Sequence, residues 1–341
     1  MSTVLQALNQ ALHAAFEQDS RVHLIGEDLL DPYGGAFKVS QGLSTQYPDR
    51  VWTSPVSEAA ITGLAGGMAL RGLLPIVEIM FGDFSTLIAD QLVNGLTKFR
   101  AMYNNEVDVP VLIRTPMGGR RGYGPTHSQT LEKLFLGIPG LRVLAPNRFG
   151  DPGQLLLTAL FEDPGPVLFI ENKLLYTQEL LGSADLADYQ SERSTPPEGY
   201  APTRALQFQG APQPAITLAV YGYMADLARQ AQQRLAFEHE IFTELVLPSQ
   251  LAPFGVDGGG LDPLLLASIQ RTSRLLTIEE GAYSLGWGAE LGARAAEAAG
   301  GELTALARVA AEDAAIPASV PLEQAMLPGV DDIVSAARKM V

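Results

Sequence analysis

Stretches of uninterrupted aliphatic residues alternate with helix-like segments along the first half of this 341-residue chain. Leu74–Ile79, Val109–Arg114 and Pro166–Glu171 are apolar almost throughout, which is typical of strands that are buried on both faces. Helical patterns separate them, as crossovers between parallel strands require. The sequence therefore predicts an α/β fold that is built on a parallel sheet.

The other elements of this half are predicted from residue spacing and from residues that typically begin or end helices. Val4, Leu8, Leu12 and Phe16 recur at helical spacing and predict an amphipathic N-terminal helix rather than a secretory signal. The further predicted elements are strands at Val22–Ile25 and Leu141–Ala145 and helices at Glu58–Leu70, Phe84–Tyr103, Thr130–Leu136 and Asp151–Phe161.

A segment rich in proline and glycine, residues 183–214, interrupts the alternation. We interpret it as a linker, because residues such as Pro196, Pro197 and Gly199 disfavour regular structure. The expected boundaries are 1–182 for the first domain, 183–214 for the linker and 215–341 for a smaller second α/β domain. The second domain is predicted to contain strands at Ile216–Tyr221, Ile241–Leu247, Arg274–Glu279 and Leu303–Val309 and helices at Ala225–Glu238, Leu285–Ala299 and Val330–Met340.

Composition excludes several classes of function. Hydrophobic residues make up 47% and charged residues 18% of the chain, as in globular proteins. The formal net charge of −15 disfavours binding to nucleic acids and to anionic membrane surfaces. The most apolar stretch, Ala59–Leu70, is shorter than the roughly 20 residues that span a bilayer. We therefore expect neither a nucleic-acid partner nor a membrane partner.

The signatures of several common chemistries are also missing. The chain has no cysteine, which excludes a thiolate nucleophile and fits a cytoplasmic location. Its four histidines, at 13, 23, 127 and 239, are too far apart in sequence for a metal-ligand pair. A P-loop, a nucleophile elbow and a dinucleotide glycine fingerprint are absent. P-loop phosphoryl transfer, serine hydrolysis and hydride transfer are therefore disfavoured.

Glu58 opens a predicted helix directly after the segment Ser54-Pro55-Val56-Ser57. The helix dipole stabilises a carboxylate in the first turn, whereas apolar neighbours reduce its hydration. A carboxyl group in this position can share a proton with a ligand nitrogen. The alternative is an ordinary first-turn glutamate, which these residues alone favour because first-turn acids are common.

A glycine-rich segment follows the predicted strand that ends at Arg114, and it reads Gly118-Gly119-Arg120-Arg121-Gly122-Tyr123-Gly124-Pro125-Thr126-His127. Parallel α/β sheets bind ligands beyond the carboxyl ends of their strands, and glycine lets the backbone approach a ligand closely. Histidine ionises near neutral pH, so His127 is a candidate acid or base. The alternative is a flexible loop with a surface histidine and a solvated arginine pair.

The predicted helix Glu58–Leu70 contains Gly63, Gly66 and Gly67. Glycine destabilises a helix interior by about 1 kcal/mol per position, so its presence needs a reason. Glycines spaced four apart allow another helix to approach closely, in this chain or in a partner. The alternative is a helix that packs only inside its own domain.

Further short motifs occur in a definite order along the chain. In the first predicted domain they are Gly26-Glu27-Asp28, Tyr33-Gly34-Gly35-Ala36-Phe37-Lys38, Pro75-Ile76-Val77-Glu78, Asp83-Phe84, Asp90-Gln91, His127-Ser128-Gln129, Pro139-Gly140-Leu141 and Glu171-Asn172-Lys173. In the second they are Tyr221-Gly222, Glu279-Glu280-Gly281 and Gly288-Ala289-Glu290. Together with Ser54–Glu58, they resemble the beta subunit of the thiamine-diphosphate-dependent 2-oxoacid dehydrogenases of pyruvate and branched-chain type. The resemblance covers nearly the whole chain.

The resemblance implies a pyrimidine-binding domain followed by a transketolase-type C-terminal domain. It also implies that thiamine diphosphate binds between this subunit and an alpha subunit, in an alpha2-beta2 heterotetramer. In that family the alpha subunit holds the diphosphate and Mg²⁺ through a Gly-Asp-Gly segment. This chain lacks that segment, since Phe84 stands where the second glycine would be in Gly82-Asp83-Phe84. The chain is therefore expected to hold half of a site.

The resemblance also assigns roles by position. Glu58 matches the glutamate that bonds the aminopyrimidine N1′ and promotes the tautomer whose nitrogen takes the thiazolium C2 proton. Phe84 matches the aromatic residue that packs on the aminopyrimidine, and Val56 and Met80 are expected to line the same pocket. His127 matches the active-site histidine that assists acyl transfer.

A structural potassium ion is a further implication of the resemblance. In that family the ion is bound largely by backbone carbonyls. The aligned positions are Val111, Leu160, Phe161, Asp163 and Gly165. Gly165 stands where relatives often have asparagine.

The implied function is decarboxylation of a small 2-oxoacid and transfer of the acyl group to a lipoyl domain of an acyltransferase core. Two alternatives stay open. One is a specialised thiamine-diphosphate enzyme whose acyl or aldehyde acceptor is not lipoyl, and the other is a non-catalytic homodimeric scaffold of the same fold. Arg120 and Arg121 are additional candidates, since either could meet an anionic substrate or an acidic carrier domain.

Overall fold

The computed structural model describes residues 2–194, 200–254 and 260–341. The chain divides into two compact units, of which the first comprises Met1–Gly118 and Phe135–Leu180 and the second comprises Gly119–Leu134 and Leu181–Val341. Each unit contains helices and a largely parallel sheet, so the predicted α/β class is confirmed. No helix within the described ranges is long and apolar enough to cross a membrane.

The sheet strands of the first unit are all parallel to their neighbours. They are β1 (Val22–Gly26), β2 (Val51–Thr53), β3 (Leu74–Glu78), β4 (Leu112–Met117), β5 (Arg142–Leu144) and β6 (Val167–Asn172). They lie in the order β5-β6-β4-β3-β1-β2, and β3 and β4 are buried along their whole length. The α-helices of this unit are α1 (Val4–Gln18), α2 (Leu43–Gln46), α3 (Glu58–Leu70), α4 (Thr97–Met102) and α5 (Pro152–Glu162).

Helix α1 has the amphipathic form that its sequence predicts. Thr3 and Gln6 form a capping box, in which Gln6 N–H donates to Thr3 Oγ1 (3.2 Å) and Thr3 N–H donates to Gln6 Oε1 (2.9 Å). The apolar face, which includes Leu8, Leu12 and Phe16, is buried. The helix packs against α5 and also contacts β1 of the first sheet.

The second unit is a mixed sheet with helices. The strands of this sheet are β7 (Tyr189–Ser194), β8 (Thr203–Phe208), β9 (Ile216–Val220), β10 (Thr243–Pro248), β12 (Arg274–Ala282) and β13 (Ala305–Ala311), and the short strand β11 (Gln250–Ala252) is not part of it. The sheet order is β13-β12-β9-β10-β8-β7, with β8 antiparallel to β10 and to β7 and the other neighbours parallel. Its helices are α6 (Met224–His239), α7 (Pro263–Thr272), α8 (Trp287–Ala299), α9 (Val320–Met326) and α10 (Val330–Arg338).

The helix predicted over Phe84–Tyr103 is wrong in form. A 3₁₀ segment at Gly82–Ile88, a π-helical segment at Gln91–Leu96 and the short α4 follow one another instead. Thr97 Oγ1 donates to Leu92 O, five residues earlier, at 2.8 Å. Such a side-chain bond competes with the regular backbone ladder, which explains the widened turns.

The helix predicted over Thr130–Leu136 is a single 3₁₀ turn, Glu132–Leu134. The Glu132 side chain is fully buried and accepts a hydrogen bond from Tyr221 Oη at 2.5 Å. This long-range contact overrides the local helical tendency of the segment.

Residues 183–214 differ from the linker that composition suggested. They contain β7 and β8, which pair with each other in the second sheet. The mostly polar and exposed side chains of β7 give no strand-like pattern, which is tolerable at the edge of a sheet. Pro196, Pro197 and Gly199 lie outside the described residues. The boundaries at 182 and 215 stay predictions, and residues 119–134 group with the second unit.

A buried ion network joins β3, β4 and β6 in the first unit. Arg114 on β4 donates from Nε and Nη2 to the two carboxylate oxygens of Glu171, at 2.8 and 2.6 Å, and from Nη1 to Glu78 Oε2. Tyr176 Oη donates to Glu171 Oε2 at 2.6 Å. All four side chains are buried, so one guanidinium compensates two carboxylates that have left water.

Replacing Arg114 with methionine should destabilise the first unit strongly. Glu78 and Glu171 would then stay buried without their cation, which typically costs about 3–5 kcal/mol. Urea unfolding followed by circular dichroism measures this loss. The control is Arg21→Met, which breaks an exposed pair with Asp19 and should leave the unfolding midpoint nearly unchanged. Equal stability of the two variants would contradict the role given to the network.

Candidate active site

Glu58 lies at the first position of α3, immediately after the turn that follows β2. The Ser57 side chain does not cap this helix; instead, the Ser57 backbone N–H donates to Glu27 Oε1 at 3.0 Å. The Glu58 side chain is only 6% exposed. Its carboxylate makes no hydrogen bond or ion pair with any other residue in the described ranges. A buried carboxylate without an internal donor is poised for a donor that comes from a ligand.

Glu27 is a second buried carboxyl group next to this helix start. It directly follows β1, so it lies at the carboxyl end of a parallel strand. Burial raises the pKa of Glu27, the Ser57 N–H partly lowers it, and the nearby charges of Glu58 and Asp28 raise it further. Glu27 was not predicted as a site residue, although a charged residue directly after a buried strand was the available signal.

Phe84 and Met80 lie beyond the carboxyl end of β3, and both are half-buried. The 3₁₀ segment that carries Phe84 packs against α3, the helix that begins with Glu58. A Cβ on Gly82 would collide with Met117 Cγ, so only glycine fits at this point of the segment. The elements that carry Glu58 and Phe84 are therefore brought together within the first unit.

Phe81 adds an aromatic surface that the sequence analysis missed. Its ring centroid lies 6.4 Å from that of Phe84 and 5.5 Å from that of Phe37, with edge-on geometry in both pairs. Val56, in contrast, is 80% exposed on the turn before Ser57. Its predicted pocket-lining role stays a prediction.

The glycines of α3 have two different environments. A Cβ on Gly66 would lie 2.6 Å from Leu96 Cδ2, so Gly66 allows close packing inside the first unit. Gly63 and Gly67 are exposed, and a Cβ on Gly67 would meet no atom within 4 Å. Leu64, on the same helix, is 50% exposed. One glycine thus serves internal packing, while an apolar face of α3 remains at the surface of the chain.

His127 belongs to the second unit, in the segment that follows β4. It is half-buried, and its Nδ1 lies 3.0 Å from Thr126 Oγ1. Its backbone N–H donates to Gly124 O at 3.4 Å, closing a tight turn in which Gly124 has a φ of 77°. The imidazole is thereby placed on a structured loop rather than on a strand or helix.

The two candidate arginines of this loop have different environments. Arg120 Nε donates to Glu280 Oε2 at 3.2 Å, and its Nη2 donates to Pro328 O at 2.7 Å. Arg121 lies beside the ring of Tyr123, at 5.9 Å from the centroid. A role for either arginine in binding an anionic partner stays a prediction.

The predicted potassium ligands lie on several elements of the first unit, and their role stays a prediction. Asp163 and Gly165 line a cavity of about 170 Å³, whereas Leu160 and Phe161 lie in the last turn of α5. Asp163 Oδ1 accepts the Gly165 N–H (3.0 Å), and its Oδ2 accepts from Arg142 Nε (2.5 Å). Val111 O already accepts the Val167 N–H at 2.9 Å. Within the described ranges no group of three or more histidine or acidic residues could hold a metal ion.

A cluster of buried carboxyl groups occupies the second unit. Glu279 on β12 accepts the backbone N–H groups of Trp287 (2.8 Å) and Gly288 (2.9 Å), at the start of α8. Burial, followed by repulsion from Glu132, raises the pKa of Glu279 to about 7, although both N–H groups lower it. Gly286 lies so close to this carboxylate that an added Cβ would sit 2.6 Å from its oxygen. Gly286 and Gly288 have no side chain and therefore leave room for the Glu279 carboxylate at the start of α8.

Comparisons with known proteins agree with this architecture. A model of the transketolase pyrimidine-binding domain matches residues 1–179, and a model of the transketolase C-terminal domain matches residues 209–333. A solved structure described as a split gene transketolase, inactive beta4 tetramer, aligns with a TM-score of 0.71 at 19% identity, over 99% of this chain and 97% of that chain. The fold is therefore that of a two-domain transketolase-type protein.

Full-length relatives define the family more closely. The chain is 36% identical to pyruvate dehydrogenase E1 component subunit beta-2, mitochondrial, of Oryza sativa subsp. japonica, over 99% of this chain and 85% of that protein. It is 35% identical to the 3-methyl-2-oxobutanoate dehydrogenase subunit beta of Mycobacterium tuberculosis (strain ATCC 25618 / H37Rv), over 99% and 92%. The chain belongs to the beta-subunit family of 2-oxoacid dehydrogenase E1 components, as its motifs predicted. Since relatives include mitochondrial and bacterial proteins, the cytoplasmic location stays a prediction.

Stability should depend on pH through Glu279. The folded pKa of about 7 exceeds the ordinary value of 4.5, so the folded state holds this proton more tightly than the unfolded state. The resulting stabilisation is complete below pH 4.5 and is lost as pH rises through 7, a change of about 3 kcal/mol. Urea unfolding between pH 5 and 8 should show a smaller decline for Glu279→Gln than for the wild type. Glu297→Gln, an exposed acid on α8, is the control and should retain the wild-type slope.

Proposed function

We propose that this chain is the beta subunit of the decarboxylating component of a 2-oxoacid dehydrogenase. With an alpha subunit, it binds thiamine diphosphate, decarboxylates a small 2-oxoacid and passes the acyl group to a lipoyl domain. The observation that carries the proposal is the buried Glu58 carboxylate, which begins α3 without a donor from the described chain. The full-length match to E1 beta subunits gives that carboxylate its context.

The residues present fit the aminopyrimidine half of the cofactor. A ring nitrogen needs a carboxyl group that can hold or share its proton, and Glu58 is buried and has no competing donor among the described residues. Phe84, on a segment packed against α3, offers an aromatic face for a flat ring. When bound, thiamine diphosphate supplies the electron sink that stabilises the carbanion left by decarboxylation.

Glu27 supports the same carboxylate through the backbone. By accepting the Ser57 N–H, it fixes the turn from which Glu58 projects. Burial raises the pKa of Glu27, and the nearby Glu58 charge raises it further. In this proposal Glu58 touches the cofactor, and Glu27 acts through the position of Glu58.

A partner subunit is required in this proposal. Mg²⁺ and the diphosphate belong to the alpha subunit, because this chain has no Gly-Asp-Gly segment and no acidic or histidine metal cluster among its described residues. The exposed apolar face of α3, with Gly63, Leu64 and Gly67, is suited to a closely packed helix of another subunit. The expected assembly is two copies of this chain with two alpha subunits.

Potassium binding near Asp163 remains a separate proposal. The last carbonyls of α5 lack helical donors and carry the negative end of the helix dipole, which suits a monovalent cation. The Arg142 guanidinium, however, already neutralises the Asp163 carboxylate. A potassium ion at this place would therefore rely on backbone oxygens, and the proposed chemistry does not depend on it.

Replacing Glu58 with glutamine should abolish activation of the cofactor. The amide cannot take up a proton as the carboxyl group does, so hydrogen–deuterium exchange at the thiazolium C2 should slow by about 100-fold or more. Nuclear magnetic resonance of acid-quenched samples measures this exchange. Native mass spectrometry of both complexes should show two copies of this chain, two of a second chain and thiamine diphosphate. Normal turnover in an assembled Glu58→Gln complex would refute the assignment.

Replacing His127 with alanine should impair acyl transfer more than decarboxylation. A lost proton donor or acceptor typically costs about 100-fold or more in the step that uses it. Reductive acylation of a lipoyl domain measures acyl transfer, and reduction of an artificial electron acceptor measures decarboxylation alone. His239→Ala, at the end of α6, is the control and should affect neither. Equal losses in both assays would assign His127 to the first step.

A further inference from the structure

Two buried carboxylates of the second unit hold the backbone of the His127 loop, by which we mean residues 119–127. Glu280 Oε1 accepts the N–H of Gly119 at 2.8 Å. Glu323 Oε1 accepts the N–H of Arg120 at 2.8 Å, and Glu323 Oε2 accepts the N–H of Gly122 at 2.9 Å. Glu323 is fully buried on α9, about 200 residues further along the chain.

The loop backbone is shaped to receive such an anion. Arg120 and Gly122 both have a φ of 68°, so left-handed residues alternate with others, and the N–H groups of these two residues meet the same carboxylate. This arrangement forms a concave anion-binding nest of the kind that holds phosphates in other proteins. Here a side chain of the protein itself fills the nest. Arg120 is not glycine, and its unfavourable conformation needs such bonds to persist.

The approach of α9 to the loop is close. A Cβ on Gly119 would lie 2.7 Å from Leu327 Cδ1 and 3.1 Å from Glu323 Oε1, so a larger residue would push the two apart. The Arg120 side chain closes the same contact from the other direction, because its Nη2 donates to Pro328 O at 2.7 Å, just beyond α9. The loop is thus bonded to the C-terminal helical segment through its own backbone N–H groups and through the Arg120 side chain.

His127 lies between two attachment points of this kind. On its N-terminal side are the three N–H groups bound by Glu280 and Glu323. On its C-terminal side, Thr130 Oγ1 donates to Glu280 Oε1 at 3.4 Å, and Glu132 accepts from Tyr221 Oη at 2.5 Å. The imidazole therefore projects from a short span whose two ends are held by buried carboxyl groups.

We propose that Glu323 is a positioning residue for His127, and that its carboxylate acts as the built-in anion of the loop nest. The inference rests on the proposed function, since it concerns the step that His127 serves. Glu323 touches neither substrate nor cofactor in this role. It fixes the loop conformation that presents the imidazole, so its loss should reduce acyl transfer while decarboxylation is largely retained.

The test uses Glu323→Ala in the assembled complex. The alanine leaves the N–H groups without an acceptor and opens room for a small carboxylate. We expect kcat for acylation of a lipoyl domain to fall about 10- to 100-fold, as a misplaced catalytic group typically causes, with decarboxylation to an artificial electron acceptor much less affected. Added acetate, at constant ionic strength, should restore part of the acyl transfer. Glu312→Ala removes an exposed carboxylate of the same unit, and should show neither loss nor rescue.

Amide hydrogen exchange tests the conformation of the His127 loop without relying on enzyme activity. The amides of Gly119, Arg120 and Gly122 should exchange faster in Glu323→Ala, and acetate should slow them again. An inactive wild-type complex with this exchange pattern would refute the proposed function but leave the nest in place. An active wild type with unchanged acyl transfer in Glu323→Ala, or with equal losses in both assays and no effect of acetate, would overturn the positioning role.

If Glu323→Ala does not assemble into the complex, a second variant provides the test. Glu323→Gln keeps one acceptor oxygen but turns an amide NH₂ towards the other N–H group. Acyl transfer should fall several-fold, and exchange should accelerate at the amide that faces the NH₂. Wild-type acyl transfer in this variant would overturn the proposal, because the second N–H bond would then be dispensable.

Discussion

A carboxylate that leaves water must find a donor inside the protein, and this requirement organises both units. In the first, Arg114 compensates Glu78 and Glu171 and so ties three strands together. In the second, backbone N–H groups serve the same purpose for Glu280 and Glu323. Glu58 is buried like these residues, yet no described residue donates to it. That exception is what supports the role proposed for Glu58.

Much of the fold could be predicted from local pattern. Helix α3 was predicted with its observed bounds, because Glu58 at the start and Arg71 beyond the end enclose a stretch of small apolar residues. Buried parallel strands such as β3 and β4 are mostly apolar and were found within a few residues. Strand β7 was missed, since an edge strand with mostly polar side chains resembles a linker in composition. The π-helical segment, whose Leu92 carbonyl accepts a bond from the Thr97 hydroxyl, carries no periodic signal in the sequence.

The site was predictable where chemistry follows a motif and unpredictable where it follows a long-range contact. Glu58, Phe84 and His127 came from short segments whose order resembles one family. Glu27 required knowing that its carboxylate meets the Ser57 N–H, 30 residues away. Glu323 required knowing that α9 reaches a loop near residue 120, which no spacing rule connects. Net charge was no guide, because a count of −15 does not tell which acids are buried.

The division of the chain also affects the two steps of the proposed function, activation of the cofactor through Glu58 and acyl transfer through His127. Glu58 belongs to the first unit, whereas His127 belongs to the second unit although it lies between β4 and β5 in sequence. Glu280 and Glu323, whose carboxylates bond the His127 loop, belong to the second unit, as do Glu132 and Tyr221. Changes in those residues should therefore alter the presentation of the imidazole without altering the turn that carries Glu58. In the proposed function the two residues serve different steps, and each is supported by buried contacts of its own unit.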